Sequence, residues 1–579
     1  MISLSNRAHG IAVILLCAAV PLCFGALALV LGQDTNWDLR NYHWYNPYAF
    51  LTGRLALDIA PAHANTFYNP VLDVPVYVLA QALPAKAVGF LLGTVQGLNF
   101  VLLFALLRAL LVAHSPAQRS GLAAVVAGVG VLGGGHLSLV GTTYYDNIIS
   151  LAVIGAALIV VASASRVFAG PMRSSFARTA AAGLVLGAGA GLKLPTTVFA
   201  VGFCVAFLVT AGSPGRRLGL AFAFGIGVLG GMAAFAGPWM WYLWTEFHNP
   251  LFPYFNEVFR SPMGLPASYR DTRLIPESLW EALAFPVLFS LDPYRVGETA
   301  FRDFRILAAY VVLLATPLIL FWGRRRAQRA AAPAVDPPAV DPLRARYVIA
   351  AAVLSYAVWI PLFSIYRYLM PLEMLAPVLV TAAVGLWPVA PRARVAAVAT
   401  VLAVVVVTAK PGSWGRLEGW TDRFVEAEAP ALPHPDATLV VVTGFEPVAF
   451  VIPAFPPPVA FVRLQGYLND HPDDGDHGHD GDTGLDRRVR ERLARHRGDL
   501  YLLFPEWAAR EHPVWAARER KIAAAALLRY GLEADFGACR PVPANLADYV
   551  RLCPVARRSG PSPAHDRKDA ARMPGEALP

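Results

Sequence analysis

Charged residues are scarce in this chain. Asp, Glu, Lys and Arg make up 15% of its residues, whereas 56% are hydrophobic; a soluble domain typically has about 25% charged residues. A soluble protein of this length would need a surface far richer in charge. The apolar residues come in blocks of about twenty, the length that a helix needs to cross a hydrocarbon core of about 30 Å. The composition therefore predicts an integral membrane protein.

The sequence also lacks the pattern of a nucleic-acid-binding protein, although its net charge is +9. Most of the excess positive charge lies in short loops between apolar blocks, where the positive-inside rule places it. Outside those blocks there is no basic stripe interleaved with aromatic residues. We therefore expect no nucleic-acid partner.

Cysteine is rare, with five residues in the whole chain. Three lie within apolar blocks, as small buried hydrophobic residues do: Cys17, Cys23 and Cys204. Cys539 and Cys553 share a polar region that the topology places outside the membrane, in an oxidising compartment, so we predict a disulfide between them. The acidic, His-containing run 471–482 has no fixed ligand spacing. The sequence thus predicts neither a metal nor a cofactor.

The apolar blocks predict a polytopic α-helical membrane protein of about eleven transmembrane helices. The first block, Ile11–Leu31, could be a signal peptide, but it is longer than a usual signal and its cleavage site is poor, so we interpret it as a retained helix. The other blocks lie at about 86–112, 120–140, 147–165, 179–192, 195–212, 218–238, 306–323, 347–364, 371–390 and 395–409. The two around Lys193 are short and could form a shallow hairpin.

The charges of the connections predict an orientation. Alternate connections are basic, with Arg216 and Arg217 in one and Arg324, Arg325 and Arg326 in another. The positive-inside rule then places the N-terminus in the cytoplasm of a bacterial cell and the C-terminus outside its cytoplasmic (inner) membrane. Two long segments, 33–85 and 239–305, are predicted on the outer face; both are rich in aromatic residues, which settle at lipid interfaces.

Composition changes after about Lys410. We predict a transmembrane catalytic domain over 1–409, a small α/β extracytoplasmic (periplasmic) domain over 410–557 and a disordered tail over 558–579. The predicted strands of the α/β domain are Ala437–Thr443 and Asp499–Phe504, and its predicted helices are Arg488–His496 and Val514–Tyr530.

The densest group of chemically capable residues follows the first apolar block. It contains the carboxylates Asp34 and Asp38, together with Trp37, Arg40, Tyr42 and His43. A carboxylate partly desolvated by aromatic rings has a raised pKa and is a better general base. An interfacial aromatic belt with ordinary polar neighbours is the alternative, but a belt does not need two carboxylates, an Arg and a His within ten residues.

Three further charged residues are predicted at outer helix ends. Asp146 follows the third block and is either a functional carboxylate or a helix cap. Lys193 and Arg367 oppose the positive-inside trend, which a phosphate partner would explain; snorkelling to the interface is the alternative.

The aromatic segment 237–256 contains Trp239, His248 and Asn249. Tryptophan faces stack on pyranose rings, so this segment suits a sugar-binding platform, although interface anchoring explains the aromatic residues equally well. Tyr366, beside Arg367, belongs to the same class of candidate.

From the first helix to about Glu373 this arrangement resembles the GT-C superfamily of membrane glycosyltransferases, which includes the protein and lipid mannosyltransferases. The resemblance rests on the Trp37–His43 motif, Asp146, the Gly-Leu-Lys193 hairpin, His248-Asn249-Pro250 and Tyr366-Arg367-Tyr368. Asp38 is followed by Leu39, where mannosyltransferases commonly have an Asp-Glu pair, and either Asp34 or Asp38 fits the family's base.

The resemblance implies an inverting glycosyltransferase. A first-loop Asp takes the proton of an acceptor hydroxyl, Asp146 orients the base or the acceptor, and polyprenyl phosphate leaves. The implied phosphate contacts are Lys193, Arg367, His43 and Arg40, and the implied sugar or acceptor contacts are Trp37, Tyr42, Trp239, His248, Asn249 and Tyr366. Its partners would be a polyprenyl-phosphate-linked sugar, membrane lipid and a polar acceptor (a glycan, lipid or protein).

Two other functions fit a chain with many spans and long outer segments. A transporter or flippase for lipid-linked sugars predicts charges at mid-membrane depth and internal repeats, neither of which stands out here. A polysaccharide polymerase or ligase would use a pyrophosphate-linked donor instead of a monophosphate.

Overall fold

The chain folds into two compact units, each assembled from separate stretches of sequence. The computed structural model describes residues 2–210, 212–330, 337–468, 483–506 and 513–558. The first unit comprises Met1–Asn36, Leu83–Pro238 and Arg270–Asp422, and the second comprises Trp37–Ala82, Trp239–Tyr269 and Arg423–Pro579. Most of segment 33–85 and part of segment 239–305 thus belong with the C-terminal domain, whereas we predicted them as loops of the transmembrane domain. The predicted disordered tail, apart from Arg558, lies outside the described residues.

Helices dominate the first unit; they are numbered along the whole chain. They are α1 (Ile2–Leu31), α4 (Ala85–Leu110), α5 (Pro116–Val131), α6 (Gly134–Ser138), α7 (Asp146–Ala162), α8 (Ala164–Ala169), α9 (Met172–Leu192), α10 (Thr197–Thr210), α11 (Pro214–Phe247), α13 (Leu279–Leu291), α14 (Arg305–Ala330), α15 (Pro342–Leu362), α16 (Met370–Gly385) and α17 (Pro391–Thr408). Helix α11 continues into the second unit, whose other helices are α2 (Tyr45–Leu51), α3 (Val74–Ala82), α12 (Asn256–Phe259), α18 (Gly484–Arg495) and α19 (Pro513–Leu528).

Within the described residues, eight helical segments are long and apolar enough to cross a membrane. They are Arg7–Leu31, Ala85–Leu110, Met172–Leu192, Pro214–Phe247, Arg305–Gly323, Pro342–Leu362, Tyr366–Gly385 and Pro391–Thr408. A polytopic helical protein is therefore confirmed, while the count of eleven spans stays a prediction. The predicted blocks 120–140, 147–165 and 195–212 form helices of 16, 17 and 14 residues, which are short for a span. Block 179–192 is longer than predicted, because α9 has 21 residues.

The block predicted at 120–140 is interrupted by buried carboxylates. Glu373 accepts hydrogen bonds from the backbone N–H groups of Gly135 and His136, at 3.0 and 2.8 Å, and Asp303 accepts one from Gly134 at 2.7 Å. A Cβ added at Gly133 would lie 1.9 Å from Glu373 Oε1. Helix α5 therefore ends where the chain turns to bring the N-terminal N–H groups of α6 onto these two acids.

The C-terminal part of the second unit contains a small mixed sheet. Its strands are β1 (Thr438–Val442), β2 (Ala460–Arg463), β3 (Asp499–Pro505), β4 (Leu532–Ala534), β5 (Arg540–Pro541) and β6 (Val550–Arg557). The order is β2-β1-β3-β6-β4, with β5 also on β6; β1 pairs with β2 and β3 in parallel, and β6 is antiparallel to β3. A small sheet in the C-terminal region is thus confirmed.

Both predicted strands and both predicted helices of this domain are present, with small differences at their ends. The expected disulfide is also present, joining Cys539 to Cys553. Because Cys553 lies on β6, the bond ties the chain before β5 to the strand that pairs with β3, β4 and β5.

Candidate functional site

Three of the predicted site residues meet in the first unit. Lys193 Nζ lies 2.6 Å from Asp146 Oδ1 and donates a second hydrogen bond, of 2.7 Å, to the carbonyl oxygen of Tyr144. Arg367 Nη1 lies 3.8 Å from Asp146 Oδ2. Only 14% of the Lys193 side chain, 11% of that of Arg367 and 5% of that of Asp146 are exposed. Residues far apart in sequence thus form one nearly buried group, with two cations beside one carboxylate.

Local structure fixes each of the three side chains. Asp146 is the first residue of α7, and no side-chain cap is formed at Tyr145, the preceding residue. Lys193 directly follows α9, because Pro195 cannot continue that helix. Arg367 lies in the short 3₁₀ turn 366–369 that leads into α16. A carboxylate at a helix N-terminus and a cation at a helix C-terminus are each stabilised by the helix dipole.

Two tyrosines complete this group. The guanidinium of Arg367 lies 4.0 Å from the ring centre of Tyr144, and Lys193 Nζ lies 5.5 Å from that of Tyr368. Such cation–π contacts hold a cation in place without neutralising it. The pocket against these side chains has a volume of about 10 Å³, room for about one water. An anion as large as phosphate would therefore enter only if side chains that line this pocket moved.

Asp34 belongs to the first unit but is fully buried and saturated with hydrogen bonds. Its Oδ1 accepts from the backbone N–H and the side-chain amide of Asn36, at 3.0 and 2.8 Å. Its Oδ2 accepts from the backbone N–H and the hydroxyl of Thr143, at 2.8 and 2.7 Å. A general base needs an oxygen that the substrate can reach, so Asp34 is better explained as a structural acceptor that ties the end of α1 to the segment before α7.

Replacing Asp34 with Ala is expected to destabilise the protein by about 3 kcal/mol or more, because each buried donor that loses its partner costs about 1–3 kcal/mol. Thermal unfolding of the purified protein in detergent measures this effect. Glu418→Ala, which removes an exposed carboxylate of the same unit, is the matched control and should change little. An Asp34→Ala protein as stable as that control would contradict the structural role.

Asp38 lies in the second unit and is only partly buried. It precedes a single π-helical turn, Leu39–His43, and its Oδ2 accepts a hydrogen bond of 3.2 Å from the hydroxyl of Tyr42. The Tyr42 ring packs on His43 and Tyr68, with ring centres 4.1 and 5.0 Å apart. Asp38 is thus held by an aromatic neighbour while part of it stays accessible, as a base requires.

His43 and Arg40, the other two predicted phosphate ligands, bind to other side chains of the second unit. His43 Nδ1 lies 2.6 Å from Asp73 Oδ1, and both side chains are about 95% buried. Arg40 donates a 2.8 Å hydrogen bond to the hydroxyl of Tyr549. The Arg40 guanidinium also opposes the rise that burial causes in the pKa of Glu446. These contacts explain His43 and Arg40 as packing and positioning residues of this unit.

Of four predicted sugar-binding residues, two are buried and two are at least partly exposed. Tyr366 is fully buried against Phe301, and the side-chain amide of Asn249 is bonded to the carbonyl of Tyr254. Both are better explained by packing than by sugar binding. Trp37 stacks beside His63, with ring centres 6.1 Å apart, and His248 is exposed.

Trp239 lines a large cavity of the second unit, although only 7% of the residue is exposed. Its indole N–H donates a 2.9 Å hydrogen bond to the carbonyl of Phe67. Reasoning from the sequence missed the arginines of α18 in the same cavity, Arg488, Arg492 and Arg495. Their spacing of four and three residues, which places side chains on one helix face, was the available signal. Sequence reasoning also missed the ring of Tyr144.

In the part of the chain that the structure describes, no group of three or more His, Cys, Asp or Glu side chains is placed to hold a metal ion. The run 471–482 lies outside the described residues. In comparisons with known proteins, no family model, no curated protein and no solved structure matches this chain significantly.

Proposed function

We propose that this protein is an inverting glycosyltransferase of the GT-C type, which moves a sugar from a polyprenyl-phosphate carrier to a polar acceptor at the outer face of a bacterial cytoplasmic membrane. The observation that carries the proposal is the convergence of Lys193 and Arg367 on Asp146. The eight apolar helices support a site at a membrane, where such a lipid carrier resides.

A phosphate leaving group explains this group of charges. When the bond between the sugar C1 and the phosphate oxygen breaks, that oxygen takes the electron pair and the leaving group gains negative charge. Two cations in a nearly buried site stabilise such a charge far better than they would in water. Arg367 offers a planar fork for two phosphate oxygens and Lys193 a compact point charge. Asp146 keeps the two cations together.

The other half of the reaction needs a general base, and we assign this role to Asp38. In the proposed step the acceptor hydroxyl gives its proton to the Asp38 carboxylate while its oxygen forms a bond to C1 on the face opposite the departing phosphate. The configuration at C1 therefore inverts. Asp38 is favoured over Asp34 because the Asp34 oxygens already accept several hydrogen bonds in a fully buried position.

A donor-panel experiment tests the proposal. The purified protein in proteoliposomes is offered polyprenyl-monophosphate sugars, the corresponding pyrophosphate-linked sugars, and candidate glycan, lipid and peptide acceptors. We expect a covalent glycoside of inverted configuration and free polyprenyl phosphate from the monophosphate donors only. Movement of a lipid-linked sugar across the bilayer without a covalent product would support a transporter instead. Product from the pyrophosphate donors alone would support a polymerase or ligase.

A further inference from the structure

A cavity of about 850 Å³ lies within the second unit. Its walls come from residues 53–67, from the last turns of α11 and from helix α18. Pockets that bind small molecules typically have volumes of about 300–1,000 Å³. The cavity is therefore large enough for a ligand of several rings, and it contains none of the residues assigned above to phosphate or proton transfer.

One wall of the cavity is a row of arginines on α18. Arg488, Arg492 and Arg495 follow each other by four and three residues, so they lie on one face of the helix and line the cavity. Val489 and Leu493 are buried in the core that α18 forms with the sheet. The core thus fixes the helix while its arginines face the cavity.

Three carboxylates line the cavity together with these arginines: Asp58, Glu246 and Glu491. Asp58 is buried in a bidentate ion pair with Arg54. Arg54 Nε and Nη2 donate hydrogen bonds of 2.9 Å each to the two carboxylate oxygens of Asp58. Glu246 lies 4.0 Å from Arg488, with both side chains nearly half exposed, and Glu491 lies 3.3 Å from Arg495, with both side chains mostly exposed. Exposed pairs of this kind are weak, so an anionic ligand can compete with them.

Arg492 pairs with no carboxylate within the described residues of the second unit. It is half-buried in the cavity wall between Arg488 and Arg495. Its guanidinium is therefore well placed for a carboxylate or phosphate group, which accepts two parallel hydrogen bonds from an arginine.

The facing wall is aromatic. Ring centres of Trp239 and Tyr242 lie 5.1 Å apart, and those of Phe67 and Phe247 lie 4.9 Å apart. The hydrogen bond from Trp239 to Phe67 fixes the indole, and the half-buried Tyr242 ring borders the cavity. A rigid aromatic wall with a polar edge suits the face of a sugar ring better than a flexible acyl chain.

We propose that this cavity binds an acidic saccharide, in which a carboxylate or phosphate group contacts Arg488 and Arg492 and a sugar ring packs on the aromatic wall at Tyr242. Glu246 and Glu491 accept hydrogen bonds from the sugar hydroxyls. A phosphate group without a sugar has no such hydroxyls and would make fewer contacts here. Binding of the saccharide is independent of the transfer chemistry. Only its assignment as the acceptor rests on the proposed function.

The test uses the full-length protein in nanodiscs and defined probes. A galacturonic acid hexamer supplies carboxylates, maltohexaose is its neutral counterpart, and calorimetry measures the affinity of each. We expect the acidic hexamer to bind at least about tenfold more tightly than the neutral one, the scale of one charge-assisted hydrogen bond. Higher ionic strength should weaken its binding.

A matched pair of double variants locates the site. Arg488→Gln/Arg492→Gln should weaken binding of the acidic hexamer by at least about tenfold. Arg487→Gln/Arg490→Gln removes the same charge from exposed residues of the same helix that do not line the cavity, and it should leave the affinity within about twofold. Tyr242→Ala should weaken both hexamers, because it removes the aromatic contact that they share.

Equal effects of the two double variants, or equal affinity for the two hexamers, would overturn the proposal. A third result would also overturn it: neither hexamer binds, while the protein associates with phosphatidylglycerol nanodiscs in a way that depends on Arg488 and Arg492. An Asp38→Asn protein that still binds the acidic hexamer separates the two proposals, because binding then survives without transfer.

Discussion

An Asp38→Asn protein is expected to transfer sugar roughly 10²–10⁴-fold more slowly than the wild type, the usual contribution of a general base. Asparagine has the same shape as aspartate and can still accept the hydrogen bond that the Tyr42 hydroxyl gives to Asp38. Its amide cannot take a proton from an acceptor hydroxyl. The loss should therefore fall on kcat, while the protein remains folded and inserted.

Two controls make the Asp38 result specific. Asp436→Asn changes an exposed carboxylate of the same unit and should transfer sugar at the wild-type rate. Asp38→Glu keeps a carboxylate at a shifted position and should retain part of the activity. Near-normal transfer by a folded Asp38→Asn protein would remove Asp38 from the mechanism.

Arg367→Gln is expected to lower kcat by roughly 10²–10³-fold, the loss found when one hydrogen-bond donor to a developing negative charge is removed. Arg367→Lys restores the charge without the planar fork and should recover part of the rate. The affinity for free polyprenyl phosphate should also fall, because that product carries the same phosphate. Isothermal titration with polyprenyl phosphate measures this fall separately from the chemistry.

Lys193→Met should likewise lower kcat and the affinity for polyprenyl phosphate. It also removes the cation that lies 2.6 Å from Asp146. A thermal unfolding curve must therefore accompany it. Lys410→Met, in an exposed residue just after α17, is the matched control and should leave both transfer and polyprenyl phosphate affinity unchanged. Unaltered polyprenyl phosphate affinity in both Arg367→Gln and Lys193→Met would contradict the assignment of these cations to the phosphate.

Much of the fold could be predicted from sequence because it follows local rules. Blocks of apolar residues marked the long helices, and the runs around Val440 and Leu502 marked two strands. The interruption after Val131 could not be predicted, because its cause is a tertiary contact: Asp303 and Glu373, distant in sequence, accept the N–H groups of α6. The spacing of apolar residues along the chain does not indicate such a contact.

For the candidate site, too, local sequence signals could be predicted and tertiary contacts could not. Lys193 and Arg367 stood out because a cation at an outer helix end opposes the usual charge distribution. Which of Asp34 and Asp38 is the better base could not be decided from sequence, since both carboxylates lie within seven residues of the end of the first helix. The hydrogen bonds from Thr143 to Asp34 depend on folding, and our proposal of Asp38 as the base rests on them.

A structure of the protein with bound polyprenyl phosphate would show directly whether Lys193 and Arg367 hold the phosphate. We expect the phosphate within hydrogen-bonding distance of Lys193 Nζ and the Arg367 guanidinium, with the Arg367 side chain displaced from its present position 3.8 Å from Asp146. A phosphate bound elsewhere, with Lys193 and Arg367 still beside Asp146, would contradict it.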